Sequence, residues 1–287
     1  MYIVLALGSA LFLGIYEVLK KVSLKKSNIY EVLFFYCLSG FIVSLVFIKD
    51  LFSVSFLDIA FILIKSGIIV FNWLLVMKAL KKLDVGIVVS FSLLNTILVV
   101  FGSHFIYKEK LSLVHFISLI IISIGVIFIS RLDKKDSKEK ETKERLIPFG
   151  ILILSCLLGS ASALFDKYLL NVREISSRSV LVWCLLFNTI IYGVIYFCKN
   201  KKIEFKVIKN NYWVVFTGVG IAMADILYYY SINVIGAQLS IISIVRKLSV
   251  VVATLGASIF LHEKGLFKKL LILGLMLIGV ALPVVFN

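Results

Sequence analysis

The segments HFIYKEKLSLVHFISLIIISIGVIF (104–128) and IFLHEKGLFKKLLILGLMLIGVAL (259–282) are two variants of one pattern. Each runs from a short charged stretch containing Glu-Lys into a long apolar stretch with Ile-Gly-Val near its end. Pairing residue i with residue i+154 aligns Gly102 with Gly256, Glu109 with Glu263, Lys110 with Lys264, and 124–126 with 278–280. Similarity at a fixed spacing indicates an internal repeat, so we predict a chain of two related halves.

The composition of the chain is that of a membrane protein. Hydrophobic residues make up 61% of the 287 residues, charged residues only 16%, and the mean hydropathy is +1.07. A helix that crosses the hydrocarbon core needs about 20 mostly apolar residues. Ten such segments are predicted, at 2–19, 30–48, 58–80, 85–106, 112–130, 148–170, 179–198, 211–232, 236–260 and 266–286. The predicted fold class is an all-α integral membrane protein of about ten transmembrane helices.

The formal net charge of +15 is explained by membrane topology rather than by nucleic-acid binding. The loops after the odd-numbered segments, together with Lys78, Lys268 and Lys269 at the adjoining segment ends, hold 22 lysines and arginines, and the loops after the even-numbered segments hold 5. By the positive-inside rule, the odd-numbered loops are cytoplasmic and both chain ends lie outside the cytoplasm. The abundance of Lys, Ile and Phe favours a bacterial plasma membrane.

A charged stretch divides the chain into two parts of similar length. Residues 131–147, RLDKKDSKEKETKERLI, contain seven basic and five acidic side chains and are predicted to be a solvated cytoplasmic linker. The first half is then residues 1–130 and the second half residues 148–287. Each half holds five segments, an odd number, so the second enters the membrane from the opposite side. Inverted repeats around a central cavity are typical of secondary transporters.

The paired segments 104–128 and 259–282 resemble the hallmark of the drug/metabolite transporter superfamily, and the EamA-like carriers in particular. That hallmark is Gly-Glu-Arg or Gly-Glu-Lys between the fourth and fifth helices of each repeat. Here Glu109-Lys110 and Glu263-Lys264 match, while Lys108 and His262 stand where the glycine is expected. The resemblance implies ten helices, a cavity walled by the first four helices of each half, and alternating access. Members of that superfamily commonly have cytoplasmic chain ends, whereas the lysine count of this sequence predicts that both ends lie outside the cytoplasm.

Charged residues lie at the predicted midplane of the second half. The turn between segments 211–232 and 236–260 centres on Ile235 and Gly236, and Asp225 and Arg246 lie equally far before and after it. At about 1.5 Å per residue both are about 16 Å deep, near the middle of a core of about 30 Å. A charge there costs about 2.5 to 3.5 kcal/mol unless it is paired or hydrated. We therefore predict an ion pair of Asp225 with Arg246 or Lys247, facing an aqueous cavity.

Polar residues near this depth complete a predicted substrate-binding site. Ser243 lies one turn before Arg246, and Tyr229 lies one turn after Asp225. In the first half, Asn72 and Asn95 are predicted at corresponding depths. A packing role for the Asp225–Arg246 pair stays open, but two adjacent cations near one anion favour a substrate with a carboxylate or phosphate. Asp225 is then available for an ammonium group.

Three further charged residues are predicted near the ends of their segments. Glu17 and the pair Asp166-Lys167 occupy roughly equivalent places in the two halves and are candidates for gating or coupling, with interfacial packing as the alternative. Lys65 is expected to reach the membrane interface near Asp58.

The predicted function is secondary active transport of a small polar metabolite, zwitterionic or anionic, by alternating access. Two alternatives stay open: an exporter or flippase of a lipophilic amine or lipid-linked amphiphile, and a non-transporting membrane subunit. Phosphate-binding, zinc-protease and nucleophile-elbow motifs are absent from the sequence, so neither an enzyme nor a cofactor or metal is predicted. The predicted partners are the small-molecule substrate and the lipid bilayer, with a proton or sodium as the coupling ion left open. A monomer is the default, and a dimer stays open.

Overall fold

The computed structural model describes residues 1–132, 142–201, 203–261 and 266–286. Within these ranges the chain is helical and contains no strand. The α-helices are α1 Tyr2–Leu24, α2 Ile29–Ser44, α3 Phe56–Lys82, α4 Val85–Tyr107, α5 Leu113–Leu132, α6 Thr142–Lys167, α7 Ser177–Asn200, α8 Lys206–Asn210, α9 Trp213–Ile232, α10 Leu239–Val245, α11 Leu248–Leu261 and α12 Leu266–Val285. A 3₁₀ segment, Leu45–Ser53, follows α2, and a π-helical turn, Tyr168–Val172, follows α6.

The helices have the length and composition of membrane spans. Eight helical segments of the described chain are long and apolar enough to cross a bilayer, and shorter apolar stretches lie in α5 and α12. This confirms the prediction of an all-α membrane protein, while the number ten stays a prediction. On α1, the large residues Leu7, Leu11 and Ile15 are exposed, whereas Ala6 and Ala10 are buried. Helices that pack in lipid meet through such small residues, which let two backbones approach.

Packing between the halves follows a repeated plan. Helix α1 packs on α9 and α11, as α6 packs on α3 and α4; α2 packs on α9, as α7 packs on α3. The pairs α2 with α7 and α5 with α12 are their own counterparts. Exchanging the two halves thus maps each of these contacts onto another of them or onto itself. Duplication of a five-segment unit explains this pattern, and the inverted orientation of the units stays a prediction.

The predicted segment 236–260 is two helices rather than one. Helix α10 ends at Val245 and α11 begins at Leu248, so the interruption falls at Arg246 and Lys247. The amides of Lys247, Ser249 and Val250 bond to carbonyls three residues earlier, which tightens the chain into a 3₁₀-like turn. The charged pair therefore lies at a helix break, which the apolar pattern on either side did not indicate.

The start of α6 also differs from the predictions. Helix α6 begins at Thr142, inside the predicted linker, because the stretch Thr-Lys-Glu-Arg-Leu suits a helix that continues into solvent. Residues 133–141 of that linker lie outside the described residues, as do His262, Glu263 and Lys264 of the second hallmark.

The backbone of the first hallmark segment shows why glycine suits the position that Lys108 occupies. Lys108 stands at the C-terminal end of α4 with φ 54° and ψ 31°, in the left-handed region. Glycine adopts this conformation without the steric penalty of a Cβ atom. Lys108 is therefore held in a geometry that costs a non-glycine residue about 1 to 2 kcal/mol.

Candidate functional site

A cavity of about 210 Å³ lies between the two halves. Its wall is formed by α1, α3 and α4 of the first half and by α6, α9, α10, α11 and the helix break of the second. The resemblance had implied that α2 and α7 also line the cavity. In the described part of the chain they contribute no lining residue, because they pack on each other and on α9 and α3. The predicted site residues that line it are Glu17, Asn72, Asn95, Asp166, Asp225, Tyr229, Ser243, Arg246 and Lys247.

The predicted ion pair at the midplane is present between Asp225 and Arg246. Asp225 Oδ1 lies 3.7 Å from Arg246 Nη2, and the two side chains are 16% and 17% exposed. The guanidinium also lies over the ring of Tyr228, 3.8 Å from its centroid, in a cation–π contact. Arg246 Nε is buried without a hydrogen-bond partner among the described residues. The pair is loose, because charge-assisted N–H···O bonds are usually about 2.7 to 2.9 Å.

Lys247 is the cation that the second half does not neutralise. Its ammonium lies 3.3 Å from Ser92 Oγ across the cavity, and no carboxylate pairs with it among the residues that the structure describes. Ser92 is the repeat counterpart of Arg246. The hydroxyl of the first half therefore contacts the helix break, Arg246 and Lys247, of the second half. A charge in the membrane interior whose hydrogen-bond partner is a hydroxyl rather than a carboxylate is costly.

Asn72 and Asn95 meet at a glycine of the cavity wall. A Cβ atom added to Gly159 of α6 would lie 2.5 Å from Asn95 Nδ2 and 3.3 Å from Asn72 Nδ2. The absence of a side chain at Gly159 thus gives both amides their place beside α6. Thr96, next to Asn95, has a buried hydroxyl without a hydrogen-bond partner in the described part of the chain. The cavity therefore offers neutral hydrogen-bonding groups as well as charged ones.

Lys65 contradicts the expectation that it reaches the membrane interface. Its side chain is fully buried, and Nζ lies 2.8 Å from Asp166 Oδ1. The ammonium also donates to Tyr229 Oη at 2.5 Å and contacts Cys184 Sγ at 3.4 Å. Snorkelling fails here because α6 and α9 place an anion and a hydroxyl beside the ammonium, where the charge is satisfied. Tyr229, predicted as a substrate ligand, lines the cavity but already accepts this hydrogen bond.

Lys167 is separated from Asp166 although the two are adjacent in sequence. Successive side chains on a helix point about 100° apart, so Asp166 faces the cavity while Lys167 does not line it. Lys167 Nζ instead pairs with Glu109 Oε1 at 2.5 Å. The gating or coupling role predicted for Lys167 is untested, and its ion pair lies outside the cavity.

Glu109 of the hallmark is a junction between three parts of the chain. Besides Lys167, its carboxylate accepts the backbone amides of Leu239 and Ser240 at 2.9 and 3.1 Å and the Ser240 hydroxyl at 2.6 Å. Burial opposes its charge, yet the hydrogen bonds from Lys167 and Ser240 hold the pKa of this carboxyl below its ordinary value. The hallmark glutamate thus fixes the start of α10 against the ends of α4 and α6. Its occurrence near the end of the fourth segment of both halves was the available sequence signal.

Glu17 pairs within its own helix. Its carboxylate lies 2.7 Å from Lys20 Nζ, one turn further along α1, and both residues line the cavity. Lys20 also lies 4.4 Å from the centroid of the Tyr16 ring.

In the described part of the chain no group of three or more His, Cys, Asp or Glu side chains is arranged to hold a metal ion.

Comparisons with known proteins identify the family. One solved structure, described only as the crystal structure of a protein, matches with a TM-score of 0.66 at 13% identity and covers 96% of each chain. At that identity the match shows a shared fold. No curated protein matches the sequence. Residues 1–131 and 147–285 match the EamA-like transporter family. The chain therefore belongs to the EamA-like transporter family and is a multi-pass membrane transporter of the drug/metabolite kind.

Proposed function

We propose that the protein is a secondary active transporter that moves a small zwitterionic or anionic metabolite by alternating access. Its substrate site is the cavity between the halves, with Arg246 and Lys247 as anion ligands and Asp225 as the ligand of an ammonium group. Asn72, Asn95 and Ser243 supply neutral hydrogen bonds. The two halves are inverted five-helix units, and the site lies where they meet, as in other transporters with inverted repeats.

The observation that carries this proposal is the uncompensated charge of Lys247. Glu17, Asp166 and Asp225 each pair with another cation, and among the described residues the Lys247 ammonium donates a hydrogen bond only to a hydroxyl. A packing role for the cluster predicts neutral, closely matched pairs. An anionic substrate group instead supplies the missing charge at the moment of binding.

The looseness of the Asp225–Arg246 pair supports the same conclusion. The pairs of Lys65 with Asp166 and of Lys167 with Glu109 are closed at 2.8 and 2.5 Å, whereas Asp225 and Arg246 are 3.7 Å apart. Arg246 Nε and the carboxylate of Asp225 therefore keep capacity to bind oppositely charged groups of one ligand. A substrate that carries both a carboxylate and an ammonium fits this spacing of charges best.

The helix break and the cavity volume fit the transport of a small substrate across the membrane. Non-helical backbone at membrane depth is tolerated where it lines a cavity, and transporters use such breaks at their substrate sites. The volume of about 210 Å³ is below the roughly 300 to 1,000 Å³ of pockets for drug-sized ligands. We place the protein in a bacterial plasma membrane with the linker cytoplasmic and both ends outside, as a monomer.

A thermal-shift screen of the purified protein in detergent tests the proposal. Pools of amino acids, organic acids, phosphate esters, nucleosides and quaternary amines are added, because a ligand of the folded state raises the unfolding temperature. We expect a hit among zwitterions or anions whose shift in unfolding temperature is strongly reduced in Lys247→Met. A hit confined to lipophilic amines or lipid-linked compounds supports the exporter or flippase alternative. No hit in any pool supports the non-transporting subunit.

A further inference from the structure

The three carboxylates of the cavity differ in what their ion pairs join. Glu17 pairs with a lysine of its own helix, and Asp225 pairs with an arginine of its own half. Asp166, on α6 of the second half, pairs with Lys65, on α3 of the first half. Among the cavity carboxylates described, Asp166 alone forms an ion pair between the halves, so its charge affects how firmly they are joined.

Other ion pairs between the halves lie at the same end of the helix bundle. Arg173 Nη2 lies 2.8 Å from Asp58 Oδ1, near the start of α3, and Lys167 pairs with Glu109 just beyond the end of α4. Helices α3 and α4 form an antiparallel pair, so the start of α3 and the end of α4 share one end. The Lys65–Asp166 pair is the deepest of the three, and its carboxylate is the one that lines the cavity.

The environment of Lys65 makes the pair sensitive to a proton. Lys65 is fully buried, and its contacts other than Asp166 are the neutral Tyr229 hydroxyl and Cys184 thiol. Asp166 is 4% exposed, and that exposure is toward the cavity. A proton from cavity water can therefore reach Asp166, and its arrival changes the net charge of the pair from zero to +1. The ammonium of Lys65 then has no ion-pair partner among the described residues.

Other charged groups near Asp166 act on the same equilibrium. The titratable or charged groups that interact with it electrostatically, besides Lys65, are Arg246 from the helix break, Asp225, Tyr228 and Tyr229 from α9, and Tyr107 from the end of α4. Asp225 is itself paired with Arg246. A substrate anion that draws Arg246 toward itself thus removes a positive charge from the surroundings of Asp166, which links substrate binding to proton binding.

We propose that Asp166 is a proton-binding site of the transport cycle, with Lys65 as the built-in cation that it releases when protonated. Proton binding at Asp166 and separation of α3 from α6 are then two parts of one step. The proposal rests on the proposed function, since it names the proton as the coupling ion of that carrier. Lys65 is a positioning residue that sets the charge state of Asp166 and does not touch the substrate.

Infrared difference spectroscopy tests the proposal without any substrate. Protein labelled with ¹³C in the Asp side-chain carboxyl is reconstituted in lipid, and the buffer is changed from alkaline to mildly acidic. We expect the C=O stretch of a protonated aspartic acid to appear, at a position shifted by the label. The band is expected to persist in Asp225→Asn and to vanish when Lys65→Met and Asp166→Asn, which remove both charges of the pair together, are added to that variant.

Lys65→Met supplies the readout for the positioning role. Without the ammonium, the band is expected already in the alkaline buffer, an effect that lost packing alone does not produce. If the band persists when Lys65→Met and Asp166→Asn are combined with Asp225→Asn, or if no aspartic acid band appears in the wild type, the proposal is wrong. Neither result affects the thermal-shift screen, so failure of the proton site and failure of the proposed function are distinguishable.

Discussion

Replacing Lys247 by methionine separates a binding role from a structural one. The change removes the ammonium and keeps an unbranched side chain of similar length. In the ligand-free protein Nζ makes one long hydrogen bond, 3.3 Å to Ser92 Oγ, and forms no ion pair with a carboxylate of the described chain. A charge at this depth costs about 2.5 to 3.5 kcal/mol unless it is paired or hydrated. We therefore expect Lys247→Met to leave the unfolding temperature of the ligand-free protein unchanged or to raise it.

The same variant is expected to lose affinity for the substrate. A hydrogen bond to a charged group contributes about 1.5 to 3 kcal/mol, which is about 10- to 150-fold in Kd. At a ligand concentration of about 100 times the wild-type Kd, the wild type gains about 2.7 kcal/mol of stability. A variant that binds about 30-fold more weakly gains about 0.9 kcal/mol. Thermal unfolding in detergent, with and without the hit compound, measures both quantities.

Arg246→Met is the matched control for this prediction. It leaves Asp225 without its cation, so we expect the ligand-free protein to lose stability, in contrast to Lys247→Met. If Lys247→Met destabilises the ligand-free protein as strongly as Arg246→Met and leaves the ligand-induced shift intact, the reasoning is refuted and Lys247 is a structural residue.

Three further substitutions test other parts of the structure. Because folding lowers the pKa of Glu109, its carboxylate stabilises the protein at neutral pH and this contribution is lost as the pH falls through the folded-state pKa. Glu109→Gln should therefore cost about 1.5 to 3 kcal/mol at pH 7 and flatten the acid side of a plot of unfolding temperature against pH. Gly159→Ala places a methyl group 2.5 Å from Asn95 Nδ2, so we expect about fivefold weaker binding of the hit compound, from one disturbed hydrogen bond, while Gly150→Ala on the same helix, where the added Cβ meets nothing within 4 Å, binds normally. Lys108→Gly relieves the left-handed backbone and should raise the free energy of unfolding by about 1 kcal/mol; an unchanged unfolding temperature contradicts this.

The midplane pair could be predicted from the sequence because a helical hairpin fixes depth. Counting from the turn at Ile235 and Gly236 places Asp225 and Arg246 level, and the structure confirms that they pair. The cost of a charge in hydrocarbon then requires a partner or water. Both steps need only the geometry of a helix and the position of one short turn, and both can be inferred from a continuous stretch of sequence.

The partners of Lys65 and Lys167 could not be predicted in this way. Considered alone, the helix that carries Lys65 suggests that its side chain extends to the membrane interface. Asp166, its actual partner, comes 101 positions later in the sequence, and nothing in the sequence around Lys65 shows that the two are in contact. Likewise, the adjacency of Asp166 and Lys167 suggests one shared role, whereas the helix turns their side chains toward different neighbours. Rotation of α6 about its axis, set by packing against α3 and α4, decides both cases.

Exchange of the hit compound across the membrane of proteoliposomes tests the central claim most directly. Vesicles that contain the purified protein are loaded with the unlabelled compound, and entry of the radiolabelled compound from outside is followed. We predict exchange with the wild type, and strongly reduced exchange with Lys247→Met reconstituted at the same density. Absence of exchange with folded wild-type protein, or equal exchange with the variant, contradicts the assignment of a carrier whose substrate anion is held by Lys247.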